Sequence, residues 1–171
     1  MKGMSFVIYD ELALNNGVLF KYTYEILNER MQSGLLDLVQ HNKGKYDKSN
    51  LDASLFVPAV VNCAFACELF MKSMLPKDTH GHELHSLFSK LDTGIQGKIQ
   101  NATVDSMKKI RLSYGNTDFQ NDLTENSNNF AEWRYFHEKS KCSANLPFIS
   151  NFMNAIFSVA VEERNTLNKE T

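Results

Sequence analysis

At 171 residues, with 43% hydrophobic and 22% charged content, the chain has the size and makeup of one globular domain with a sizeable core, spanning about 10–165. A net charge of −2 argues against a general nucleic-acid binder; Lys98, Lys108, Lys109 and Arg111 could form a local basic patch, or more simply a solvated helix face. Three cysteines, Cys63, Cys67 and Cys142, argue against a disulfide framework and for reduced thiols in a cytoplasmic protein.

The opening MKGMSFVIYDELAL has too short an apolar patch for a signal peptide, and Ser5–Tyr9 reads at most as a short extended piece. From about Asp10 to Gln40 the spacing predicts a helix with Leu19, Tyr22, Ile26, Met31, Leu35, Leu38 and Val39 on its buried stripe. Gly17 and Gly34 are places where it would bend or divide. HNKGKYDKSNLDAS reads as a loop.

Leu55 to Leu75 is a near-continuous apolar run with Pro58 in its first turn, the central helix of a bundle. It approaches membrane-spanning length, but Pro58, Asn62, Glu68 and Lys72 interrupt it, so no membrane partner is expected. A short helix follows over His82–Leu91, with Leu84, Leu87, Phe88 and Leu91 inward. Ile95 to about Tyr114 is helical, with Ile95, Ile99, Met107, Ile110 and Tyr114 as core positions. GNTDFQNDLTENSNN reads as a mobile polar loop, Phe130–Glu138 as a helix and Lys139–Asn145 as a turn. Leu146 to about Asn165 is the last helix, followed by a tail that should fray. The result is an all-α bundle of five to six helices.

Chemistry concentrates in a few polar groups on apolar elements. Glu68 and Lys72, four apart with the acid first, suit a helical ion pair drawn into a buried network facing Arg134 or Tyr135. His82, at a helix start, could contact a phosphate or nucleotide, or bond a backbone carbonyl; Thr79 or His80 would cap that helix. Arg134 and His137, three apart on a helix, have the types that metal-independent RNA cleavage needs: a base for the 2′-hydroxyl proton and a forked donor for the phosphate. The simpler alternative has Arg134 bridging to Glu138 or Glu68, with His137 in solvent. Trp133, Tyr135 and Phe136 cannot share one face, so one could line a groove and stack on a base. The cysteines with His80, His82 and His85 match no compact zinc spacing, so neither metal nor cofactor is expected.

The ordered set Glu68, Lys72, His82-Glu83-Leu84, Leu87-Phe88 and Trp133-Arg134-Tyr135 resembles the HEPN superfamily of helical nucleotide-binding domains over roughly residues 10–165. The resemblance implies a bundle of four core helices, usually a homodimer. It further implies either a metal-independent endoribonuclease of bacterial toxin–antitoxin, CRISPR or phage-defence systems, or a non-catalytic module binding a nucleotide or a protein partner such as an antitoxin. The family's ribonuclease signature is an Arg, four to six residues, then a His; here two residues separate Arg134 from His137, a departure from that pattern.

Overall fold

The computed structural model describes residues 9–41, 48–135, 138 and 143–170; among these every regular element is helical. In chain order they are α1 (Glu11–His41), α2 (Lys48–Ala53), α3 (Phe56–Ser73), α4 (Leu84–Lys90), α5 (Thr93–Lys108), α6 (Asn116–Glu125), α7 (Asn129–Arg134) and α8 (Leu146–Glu170). The fold is an all-α helical bundle. His137, Cys142 and Ser5 to Ile8 lie outside the described residues.

α3 is the axis. Ala59, Val60, Cys63, Ala64, Ala66, Cys67, Phe70 and Met71 are all sealed from solvent. Their small side chains let α1 and α8 pack closely on two flanks, while α7 and α4 close others. α2 leans on α1, α5 on α8, and α6 on α5 and α4. The stretch 51–73 has the length and hydropathy of a membrane span. Here it forms the packed centre of a bundle and buries an acid, Glu68. Phe88 of α4, Phe119 of α6 and Phe148 and Phe152 of α8 interlock, with ring centroids 5.5–5.9 Å apart. Each such ring, fully buried, stabilises the fold by about 1.5–3 kcal/mol.

Several sequence expectations hold in place. Pro58 sits in the first turn of α3, and Leu84, Leu87, Phe88 and Leu91 are all buried. Others change. α1 is one unbroken helix that buries Leu14, Tyr24 and Met31, while Leu19, Tyr22, Ile26 and Leu35 face solvent. The best-spaced apolar stripe therefore points outward, because α3 approaches the face that carries Gly17. Ile110 is exposed, since α5 ends at Lys108 and tight turns carry the chain on to the buried Tyr114. Two stretches read as loops contain helices, α2 and α6. The C-terminal stretch stays helical to Glu170; Glu162 and Glu163 both pair with Lys98, and Arg164 pairs with Glu11.

The basic residues of the suspected patch are largely neutralised. Lys98 holds two glutamates, Lys108 pairs with Asp105 at 3.6 Å, and Arg111 pairs with Asp118 at 2.6 Å.

Candidate functional site

Glu68 lies on the buried side of α3 and is 1% exposed. A carboxylate that deep requires partners, and among the described residues it has two. One is Lys72, a turn further along, whose Nζ donates to Oε1 at 2.8 Å. The other is His82, whose Nδ1 lies 2.9 Å from Oε1 and 3.0 Å from Oε2. A carboxylate paired with an ammonium accepts hydrogen bonds and donates none, so Nδ1 carries the proton it shares with Glu68. Nε2 then lies on the side of the ring turned away from Glu68, in a side chain 62% exposed.

Local structure places His82. It belongs to the extended segment that ends at the N-cap of α4, Glu83, which makes no side-chain cap. Neither Thr79 nor His80 supplies the cap. Ser127 does: its carbonyl accepts from the Leu84 amide at 2.9 Å and its hydroxyl from the His85 amide at 3.0 Å. Ser127 lies in the turn that leads into α7, so the same residue ties the histidine segment to the helix bearing Arg134.

α7 ends at Arg134, so the helix expected to carry Arg134 and His137 on one face stops before the histidine. Arg134 does not take the place foreseen beside Glu68. Its guanidinium carbon is 4.8 Å from the ring centroid of Phe130 and 4.8 Å from that of Tyr135. Phe130 in turn stacks on Phe65 at 4.5 Å and neighbours the His82 ring at 5.7 Å. Phe130 is thus a platform touched by both the imidazole and the guanidinium. The farthest apart those two groups can be is the sum of their distances to it, about 10.5 Å.

Of the aromatic trio, Trp133 is 8% exposed, packs edge-on against Phe56 and donates from Nε1 to the Ser143 carbonyl at 3.4 Å. It is a core side chain. Tyr135 is 45% exposed, and Phe136 lies outside the described residues. Asn128, Ala131, Glu132, Tyr135 and Glu138 line a shallow depression of about 410 Å³. Two of the five lining residues, Glu132 and Glu138, are acids.

Cys63 and Cys67 are buried free thiols. Burial, with Cys67 beside it, pushes the Cys63 thiol well above its ordinary range, which suits packing and not nucleophilic chemistry. Among the described residues, no three His, Cys, Asp or Glu side chains gather closely enough to hold a metal ion.

Of the residues the sequence singled out, Glu68, Lys72 and His82 bond to one another, Arg134 packs on Phe130 and Tyr135 instead, Trp133 is in the core, and His137 lies outside the described residues. No sequence pattern marked Phe130 and Phe65 as the platform, or Ser127 as the tether. Compared with family models, curated proteins and solved structures, the chain matches none.

Proposed function

We propose that this chain is a HEPN-like, RNA-directed domain of the metal-independent endoribonuclease kind, working in the cytoplasm in a bacterial defence or toxin–antitoxin setting. The observation that carries this reading is the juxtaposition around Phe130. A guanidinium stacks on the same ring that neighbours a histidine anchored by a buried acid. Arg134 offers a forked donor for a phosphate, and Tyr135 a half-open ring for a base. Lys72, a quarter exposed at its side chain, neutralises the buried Glu68 that anchors the histidine. The buried free thiols fit a reducing compartment.

The test is binding and cleavage of single-stranded RNA by the purified chain with EDTA present. Wild type is expected to bind and cut. Arg134→Ala should weaken RNA binding about ten-fold or more, the loss of one charge-assisted contact. His137→Ala should lower cleavage if that histidine joins the site. Binding equal in wild type and Arg134→Ala removes the support for this reading.

α1 favours a second reading, a non-catalytic module that acts through protein contacts. Leu12, Leu19, Tyr22, Ile26 and Leu36 are exposed on it at heptad-like spacing. At 1.5 Å per residue this stripe runs about 36 Å and offers on the order of 600 Å² per chain. Two such faces would together bury about 1,200 Å², the lower end of stable interfaces. The occupant assigned here is a second copy of this chain. Light scattering is expected to give a dimer mass that Leu19→Glu with Tyr22→Glu halves. A monomeric wild type would instead point to a different protein on that face.

A further inference from the structure

We infer that His82, oriented by Glu68, is the general base of this site. The inference rests on the RNA reading above and assigns the proton-transfer step to a residue outside the Arg134–His137 motif. Three observations meet at this residue. Both oxygens of a sealed carboxylate hold Nδ1, which fixes the ring's orientation and the position of its proton. The remaining nitrogen, Nε2, keeps its lone pair in the neutral ring and belongs to a side chain 62% exposed. Arg134 packs on the same ring, Phe130, and so lies no more than about 10.5 Å from the imidazole.

That upper limit leaves room for a ribose–phosphate unit between the two groups. A 2′-hydroxyl hydrogen-bonded to Nε2, with its neighbouring phosphate on the guanidinium, covers on the order of 8–11 Å between the imidazole centre and the guanidinium carbon. Nε2 takes the proton from the 2′-hydroxyl. The 2′-oxygen bonds to phosphorus, and the bond from phosphorus to the 5′-oxygen breaks. The proton on His82 returns through solvent to the departing 5′-oxygen. The products are a 2′,3′-cyclic phosphate and a 5′-hydroxyl, with no water or metal consumed. Glu68 is the positioning residue: it touches no substrate and acts through the imidazole. Lys72 offsets its charge through Oε1, the oxygen it shares with the imidazole.

The experiment is steady-state cleavage of a single-stranded RNA by the full chain in EDTA, with the DNA of the same sequence as a substrate lacking the 2′-hydroxyl. His82→Ala and His82→Gln are expected to lose at least about a hundred-fold in kcat while RNA affinity holds. Gln can still donate to Glu68 from its amide, so it keeps the loop tethered should the Ala variant fold poorly. Added imidazole should restore part of the turnover of His82→Ala. His85→Gln serves as the control that leaves the rate unchanged. Glu68→Gln should lower kcat with little change in KM.

Cleavage by the His82 variants at the wild-type rate overturns the inference and leaves the RNA reading standing. Loss without imidazole rescue makes His82 a structural residue and also overturns it. Wild type that cuts no RNA ends both.

Discussion

A Cβ at Gly17 would lie 2.6 Å from two ring carbons of Phe70. That ring is fully buried and held by Phe157 at 5.2 Å, so it has nowhere to turn. Ala in place of Gly in a helix would normally add about 1 kcal/mol. Overpacking costs about 1–3 kcal/mol, and at this distance it wins. Gly17→Ala should therefore lower the urea midpoint, and adding Phe70→Leu should recover part of the loss; a stabilised single variant would refute the close contact. In sequence this glycine reads as a helix breaker, because nothing local reveals a ring arriving from residue 70. The Glu68–Lys72 pair was legible for the opposite reason: both ends sit on one helix, four apart. The tie from Glu68 to His82 crosses a turn whose path no pattern specified.

Among the elements, α6 shows most plainly what composition conceals. Asn, Asp, Thr and Gly fill 115–129, which reads as loop because these side chains compete with backbone bonding. Here they bond to one another inward. Asn126, 1% exposed, donates to the Asp122 carbonyl and accepts from Asn129 Nδ2 and the Asn145 amide, each at 2.7–2.8 Å. Asn145 Nδ2 reaches Asp122 Oδ1 at 2.9 Å, and its own Oδ1 accepts from the Phe148 amide in the first turn of α8. Asp122 Oδ2 takes the Tyr114 hydroxyl at 2.7 Å. This polar seam joins α6 to the starts of α7 and α8, and through the neighbouring Ser127 it bears on the position of α4. Asn126→Ala leaves buried donors and acceptors unpaired, and should cost about 2–3 kcal/mol in chemical denaturation. A loss under about 0.5 kcal/mol would mean that water replaces the seam.

For the molecule as a whole, the apolar run at 55–75 and the amphipathic runs around it made the all-α bundle readable in advance. Which stripe of α1 faces inward was not, since that depends on the partner helix and not on period. Protonation gives a further prediction at this scale. Burial raises Cys63 well above 9.0 and Tyr24 from 10.0 to about 12. Burial also raises Tyr9, and Tyr114 rises through burial together with Asp122. The unfolded chain releases these protons first, so their contribution is complete below about pH 9. It is lost as pH climbs from there toward 12. Melting temperature should decline steadily across that range; a flat profile up to pH 11 would contradict the burial of these groups.

The acid at position 68 has a consequence for how this scaffold can change over generations. Removing one of its two companions strands a charge in the interior at a cost of several kcal/mol, while exchanging all three groups for greasy side chains can be close to neutral. A descendant that keeps the acid at 68 is under pressure to keep a partner for it, whereas the half-open imidazole at 82 can persist once the acid is gone.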